Sequence, residues 1–246
     1  MCELFGITSV KKIEVNDLLQ EFFSHSNEHP HGWGMATFFS NYVSLEKEPI
    51  KASDSNYLKE RLKCPLQVYD MIAHVRYATR GELSYPNCHP FIKRDNFGRC
   101  WTLAHNGTIF EDEKIEPYKG QQEGETDSER ILFYFIDQIN QKQIQKGRAL
   151  KDNERFELLE ELIHGLTPSN KVNLLFYDGE YMYAYTNYAH SLHRKVLENG
   201  VIISTKPLEE EGWEPLPFAK LLVYLKGNQI FQGKLVGSEY ICNPTE

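Results

Sequence analysis

The stretch Glu3-Leu4-Phe5-Gly6-Ile7-Thr8-Ser9 follows directly after Met1-Cys2. It is short and rich in apolar residues, a pattern typical of a β-strand. The prediction places Cys2 at the tip of that strand. A thiol beside a strand end is therefore the first chemically distinctive group of the sequence.

Further strands are predicted before and after a pair of helices. Strand pairs are expected at residues 35–39 with 42–45, 172–177 with 181–185 and 220–226 with 229–235, and single strands at 68–75, 101–104 and 201–205. Asp178-Gly179 and Gly227-Asn228 separate two of these pairs, as in typical hairpin turns. This order of elements predicts an α+β domain with mostly antiparallel sheets.

The helices are predicted from their caps and their apolar faces. Asn16 is expected to cap one helix, and Ser53 or Asp54 a second that runs to about residue 62. Thr126 with Glu129 forms a capping-box pattern before the clearest amphipathic helix, which puts Asp127 in its first turn. Another helix is predicted at residues 153–164.

The composition excludes several classes of protein. The 246 residues contain no compositional break, so a single domain over residues 1–246 is expected. A net charge of -8 and the lack of a basic, aromatic-rich run argue against a nucleic-acid partner. The apolar stretches are far shorter than the roughly 20 residues of a membrane helix. No secretory signal pattern is present, so a cytoplasmic protein is expected.

The five cysteines fit neither a disulfide framework nor a zinc site. They are odd in number and widely spaced, at positions 2, 64, 88, 100 and 242. Cys88-His89 could form a ligand pair, but no second pair stands at ligand spacing. We therefore expect neither a metal nor a cofactor.

Cys2 can act as a nucleophile that carries its own base. Removal of Met1 before so small a residue would leave a free α-amine on the residue that holds the thiol. An α-amine titrates near 7.7 to 8.0 in model peptides, which suits it to accept the thiol proton. The alternative is that Cys2 is a small buried apolar residue.

Two further motifs could complete a site that cleaves amides. The side-chain amide of Asn106 and the N–H of Gly107 could stabilise an oxyanion, although Asn-Gly is also a common turn. Arg76 could bind a carboxylate through two hydrogen bonds, and Asp127 could pair with an ammonium group. Arg76 could equally be solvated, and Asp127 could serve the helix dipole.

Together these motifs resemble those of the class II glutamine amidotransferases, which are N-terminal-nucleophile hydrolases. The resemblance rests on Met1-Cys2 with Leu4-Phe5-Gly6, on His74-Val75-Arg76-Tyr77-Ala78-Thr79-Arg80-Gly81, on His105-Asn106-Gly107 and on Gly124-Glu125-Thr126-Asp127-Ser128-Glu129. Gly32-Trp33-Gly34 and Asn87-Cys88-His89-Pro90-Phe91 also match the compact stand-alone members. Tyr77 and Arg80 depart from the larger synthases, which usually carry Trp and His there.

The resemblance implies a fold and a set of roles. The implied fold is a four-layer αββα sandwich in which two mostly antiparallel sheets lie between helices. Cys2 would be the nucleophile, and Asn106 with Gly107 the oxyanion hole. Arg76 would hold the substrate's α-carboxylate and Asp127 its α-ammonium group. Tyr77 and Thr79 would line the pocket, and His74 and His105 are expected to be structural.

Three functions stay open at this stage. The chain could be a glutaminase subunit that passes ammonia to a separate synthase subunit. It could be a self-sufficient hydrolase of a small γ-glutamyl amide or peptide. It could also be a catalytically silent ligand-binding or regulatory subunit of a synthase complex, which retention of Met1 would favour. The joint presence of nucleophile, oxyanion donors and substrate clamp favours an enzyme.

Overall fold

The computed structural model describes residues 2–79, 81–110, 113–234 and 238–241. The described α-helices are α1 (Asn16–Ser24), α2 (Asn56–Arg61), α3 (Asp127–Lys146) and α4 (Asp152–Leu166). The described strands are β1 (Glu3–Glu14), β2 (Trp33–Phe38), β3 (Val43–Glu48), β4 (Gln67–Val75), β5 (Phe91–Arg94), β6 (Cys100–His105), β7 (Asn173–Tyr177), β8 (Met182–Thr186), β9 (His193–Leu197), β10 (Gly200–Ser204), β11 (Trp213–Pro215), β12 (Leu222–Leu225) and β13 (Asn228–Gln232).

The strands form two antiparallel sheets. The first has the order β11-β9-β10-β1-β4-β2-β3, and the second β13-β12-β8-β7-β6-β5. Apolar residues of α1 and α2 pack on the first sheet, and those of α3 and α4 pack on the second. This confirms the αββα sandwich. No helix in the described part of the chain is both long and apolar enough to cross a membrane.

The alternation of side chains along β1 determines which way Cys2 faces. Phe5 and Ile7 belong to the apolar cluster under α1, whereas Leu4 belongs to the cluster between the two sheets. Successive side chains of a strand point to opposite faces. Cys2 has the parity of Leu4 and therefore points between the sheets, while Glu3 points toward the helical layer.

Two predicted helix caps are wrong. Asn16 lies inside α1, and its side chain instead donates to the carbonyls of Leu62 and Cys64 and accepts from the N–H of Leu66. The cap of α2 is Ser55, whose hydroxyl accepts the N–H of Leu58 at 2.9 Å. Residues 52–54, where that helix was expected to start, form a 3-10 turn.

The N-terminus of α3 agrees with the sequence only in part. The Thr126 hydroxyl accepts the N–H of Glu129 at 3.3 Å, as the capping pattern predicts. The Glu129 carboxylate, however, turns away from Thr126 and accepts the backbone N–H groups of Glu123 and Gly124, each at 3.0 Å. Glu129 therefore orders the loop that leads into the helix.

Strand positions were predicted well where the strands are buried apolar runs and poorly where they are short or exposed. The sequence gives no prediction for β5, β9 and β11, of which β11 is an edge strand of the first sheet, β9 is its neighbour, and β5 is an edge strand of the second sheet. β13 ends at Gln232, and residue 235 of the predicted strand lies outside the described residues. β1 extends to Glu14 because a register irregularity between Thr8 and Ile13 lets pairing with β4 resume.

A buried ion pair ties α4 to the second sheet. The Arg155 Nε donates to Asp178 Oδ2 at 3.0 Å, and the two side chains are 2% and 0% exposed. Removing one partner of such a pair costs about 3–5 kcal/mol because the other charge stays buried. The positive charge of Arg99 lies 3.5 Å from the other oxygen of Asp178 and would offset part of this cost by partly neutralising the carboxylate.

We expect Arg155→Met to lower the free energy of unfolding by about 3 kcal/mol, measured by urea denaturation. Lys63→Met is the matched control, because Lys63 and its partner Glu60 are 68% and 72% exposed. The control should change stability by less than about 1 kcal/mol. Equal effects of the two substitutions would contradict the assignment of Arg155 as a structural charge.

Candidate active site

One small pocket brings together residues from distant parts of the sequence. Its volume is about 30 Å³, and it is lined among others by Cys2, Arg76, Tyr77, Thr79, Gly107 and Asp127. A water molecule needs roughly 10–15 Å³ of such volume, so the pocket has room for about two waters.

Cys2 lies against the loop that follows β4. Its Sγ accepts the backbone N–H of Tyr77 at 3.3 Å and lies 3.5 Å from the carbonyl oxygen of the same residue. Burial raises the pKa of the Cys2 thiol, and the Tyr77 N–H and the charge of Arg76 oppose this rise. The thiol is therefore held protonated at rest, and a base must take its proton before attack.

Asn106 and Gly107 follow the end of β6 directly. The Asn106 N–H donates to the carbonyl of Asn173, and its Nδ2 donates to the Thr205 hydroxyl at 3.5 Å. A Cβ at position 107 would overlap the Lys171 carbonyl and the His105 ring. Glycine is thus required for this close approach, and Gly107 is one of the residues that line the pocket.

Arg76 is buried beneath a loop rather than solvated. Its Nη1 donates to the carbonyl of Glu82 at 2.9 Å, and its Nη2 lies 3.4 Å from the carbonyl of Gly81. The loop is held from the other side by Glu125, whose carboxylate accepts the Glu82 N–H at 2.8 Å. The side chain of Asn87 also holds this loop, because its Nδ2 donates to the carbonyl of Glu82 and to the carboxylate of Glu125. Arg76 therefore lines the pocket and also holds the loop at residues 81–82 in place.

Asp127 begins α3 and is also buried. Its Oδ2 accepts the N–H of Ile109 at 2.7 Å, and its Oδ1 lies 3.3 Å from the Ser128 hydroxyl. The carboxylate thus has a fixed orientation at the pocket wall. Arg76 comes from the first sheet and Asp127 from the helical layer over the second.

Tyr77 and Thr79 are exposed at the pocket mouth. The Tyr77 ring lies 5.1 Å from that of His31 and 6.3 Å from that of His29, measured between centroids. The His31 Nδ1 accepts the N–H of Ala78 at 2.8 Å, which holds the loop in place. Arg80 and Met1, both part of the sequence motifs, lie outside the described residues.

Comparison with known proteins gives the chain its family. Residues 1–196 match the family model for class II glutamine amidotransferases. The chain belongs to the class II glutamine amidotransferases. An uncharacterized protein of Methanocaldococcus jannaschii is 32% identical over 263 residues, covering 95% of this chain and 72% of that protein.

Solved structures of other members share the amidotransferase fold. A crystal structure described as a predicted glutamine amidotransferase from Pseudomonas aeruginosa superposes with a TM-score of 0.68 at 19% identity, over 94% of this chain and 100% of that one. The glutamine phosphoribosylpyrophosphate amidotransferase from B. subtilis gives 0.66 at 15% identity, over 95% of this chain and 49% of that one. At these identities the likeness is one of fold.

A charged network beside Cys2 of this amidotransferase has no signal in the sequence. The buried Glu3 carboxylate contacts the His25 Nδ1 at 2.6 Å and the His29 Nε2 at 3.0 Å. The ammonium of Lys206 lies 2.9 Å from Glu3 and 3.1 Å from Glu28. The lysine thus supplies the cation between two carboxylates. The network fixes the segment that carries His31 against β1 and so positions the Tyr77 loop.

The Glu3 network makes the stability of this amidotransferase depend on pH. The hydrogen bond that the His25 Nδ1 donates to the Glu3 carboxylate raises the pKa of His25 above its usual value of 6.5. Protonated His25 therefore stabilises the fold fully below pH 6.5, and this contribution is lost as the pH rises through the raised pKa.

We expect His25→Gln to destabilise the protein at pH 6 and to approach the wild-type stability as the pH rises toward about 9. Thermal unfolding of both proteins across this range measures the difference. His164→Gln, at an exposed histidine of α4, is the control and should give a difference that does not depend on pH. A gap between His25→Gln and wild type that widens with pH would overturn the role given to His25.

Proposed function

We propose that this chain hydrolyses the side-chain amide of glutamine or of a γ-glutamyl compound through a thioester on Cys2. The products are glutamate and either ammonia or an amine. The observation that carries the proposal is that Cys2, Gly107 and the buried Arg76 and Asp127 line one pocket. An amino acid with an amide side chain has a group for each of these residues: the amide for Cys2 and Gly107, the α-carboxylate for Arg76 and the α-ammonium group for Asp127.

The first half of the reaction forms the thioester. After removal of Met1, the α-amine of Cys2 takes the proton from Sγ, and the sulfur attacks the amide carbonyl carbon. Negative charge develops on the carbonyl oxygen, where the side chain of Asn106 and the N–H of Gly107 stabilise it. The carbon–nitrogen bond then breaks, and the amine leaves with the proton held by the α-amine.

The second half regenerates the enzyme. Water gives a proton to the α-amine and attacks the thioester carbonyl, the sulfur–carbon bond breaks, and the sulfur recovers its proton. Arg76 and Asp127 hold the α-carboxylate and the α-ammonium group throughout. Their fixed orientations restrict the reaction to the γ-carbonyl, because only that group then reaches Sγ.

Intact mass of the purified protein, with and without a diazo-ketone analogue of glutamine, tests the nucleophile. We expect loss of Met1 and one adduct that maps to Cys2. Retained Met1 with no adduct would instead favour the silent ligand-binding or regulatory subunit. The adduct requires a reactive thiol and is independent of the identity of the leaving amine.

A panel of γ-glutamyl amides and peptides, assayed without any other protein, tests the destination of the amine. Hydrolysis of several γ-glutamyl compounds would support a self-sufficient hydrolase. Activity confined to glutamine, and only in a complex, would support a subunit that passes ammonia to a separate synthase subunit.

A further inference from the structure

His89 is a buried polar side chain that the proposed reaction leaves unused. His89 is one of the residues that line the Cys2 pocket, and it is 4% exposed. Neither ring nitrogen has a hydrogen-bond partner within the described part of the chain. A buried polar group left without a partner costs about 1–3 kcal/mol. Such an orphan at the wall of a pocket points to a ligand that completes its hydrogen bonding.

The sheet order places the His89 ring one strand away from the thiol. β4 lies between β1 and β2, and Cys2 precedes β1. The His89 ring stacks on His74 of β4 at 4.1 Å, while the backbone carbonyl of His89 packs on Gly34 of β2 so closely that a Cβ there would overlap it. The ring therefore lies over β4, and the thiol and the ring are the two ends of a space about one strand spacing, ~4.8 Å, wide.

Arg76 lies between these two ends. It follows the last residue of β4, two positions after His74, and therefore projects from the same face of the sheet. A glutamyl group with its amide at Cys2 would extend across β4 and place its α-carbon end between Arg76 and His89.

The ring of His89 is suited to donate to an anion. Burial lowers its pKa well below 6.5, and the charges of His74, His105, Arg76 and Lys47 act in the same direction. The neutral ring keeps one N–H donor. Two donors of Arg76 already engage the carbonyls of Glu82 and Gly81. A carboxylate has about four acceptor sites, so it can accept hydrogen bonds from Arg76 and from a second donor at the same time.

We infer that His89 is a specificity-determining residue that donates a hydrogen bond to the α-carboxylate of the glutamyl substrate, beside Arg76. The inference rests on the proposed function, because it takes the substrate to be a glutamyl compound bound with its amide at Cys2. It assigns His89 to recognition of the amino-acid end of the substrate and gives it no part in proton transfer at the thiol.

The test measures binding to Cys2→Ala protein, in which no hydrolysis interferes, by ligand-observed NMR titration. The probes are L-glutamine, glutaramate, which lacks the α-amine, and 4-aminobutanamide, which lacks the α-carboxylate. Adding His89→Phe, which retains ring stacking on His74, should weaken binding of L-glutamine and glutaramate about tenfold and leave 4-aminobutanamide unchanged. Adding His89→Asn should restore part of the loss. His164→Phe, at an exposed site, should change none of the three.

Equal weakening of all three probes, or of none, would overturn the inference, because His89 would then be only structural or irrelevant to binding. Failure of the proposed function has a different signature. Binding of L-glutamine to Cys2→Ala protein with the expected dependence on His89, but no hydrolysis by wild type, would refute the reaction and support the inference. No binding of L-glutamine to folded Cys2→Ala protein would refute both.

Discussion

Cys2→Ala is expected to abolish hydrolysis of glutamine and of every γ-glutamyl substrate, with kcat/KM falling about 10⁴-fold or more. The reason is that no other thiol lines the pocket, within the part of the chain that the structure describes. Release of glutamate, followed by a coupled dehydrogenase assay, measures the loss.

Cys64→Ala is the matched control for Cys2→Ala. The Cys64 thiol is free and exposed, and it lies outside the pocket. Its substitution should leave kcat/KM within about twofold of wild type, since surface substitutions seldom matter. Substantial hydrolysis by pure Cys2→Ala protein would remove the thioester from the mechanism.

Asn106→Ala is expected to lower kcat by about 10²–10³-fold with little change in KM, because one oxyanion donor is lost and ground-state contacts remain. The backbone of Asn106 is held by the carbonyl of Asn173, which the substitution does not touch. Steady-state kinetics with L-glutamine give both constants, and thermal unfolding verifies that the variant is folded.

Thr205→Val tests whether the orientation of the Asn106 side chain matters in addition to its presence. The Thr205 hydroxyl accepts from Asn106 Nδ2, so its loss should leave the amide present but less well oriented. We expect a fall in kcat smaller than that of Asn106→Ala. If KM rises in Asn106→Ala while kcat is unchanged, the side chain binds the ground state and the oxyanion assignment fails.

The sequence predicted an α+β domain with mostly antiparallel sheets from the order of its strands and helices, and the resemblance implied the αββα sandwich. Thr126 marks the start of α3, whereas only the structure shows that Leu4 and Phe5 lie on opposite faces of β1. The short strand β11 carries no such signal, since it has three residues and lies at a sheet edge. Its position depends on pairing with β9, which local sequence does not encode.

The candidate site residues could be selected from the sequence where they belong to a short motif. They could not be selected where the contacts join distant segments of the chain. Cys2, Arg76, Gly107 and Asp127 do line one pocket. The Glu3 network was not foreseen, because Lys206 approaches Glu3 only after the strands have assembled. No sequence pattern around residue 3 predicts that its carboxylate is buried.

Cys88 and His89 show how adjacency in sequence misleads. Side by side they could be taken for a pair of metal ligands, yet they face different surroundings. The Cys88 Sγ lies 3.5 Å from the carbonyls of Glu48 and Ser84, whereas His89 is one of the residues that line the pocket. The missing side chain of Gly34 makes room for the backbone carbonyl of His89, which every residue type carries, so no sequence pattern indicated the position of the His89 ring.

The central place of β1 in its sheet has a consequence for biosynthesis. The Leu4 N–H donates to the hydroxyl of Thr205, 201 positions further along, and β10 pairs with β1 just before that residue. The thiol thus leaves the ribosome long before the hydroxyl that orients the Asn106 amide. During translation the nascent chain therefore carries Cys2 before Thr205 can orient Asn106, so the proposed reaction can begin only after the later strands have been made.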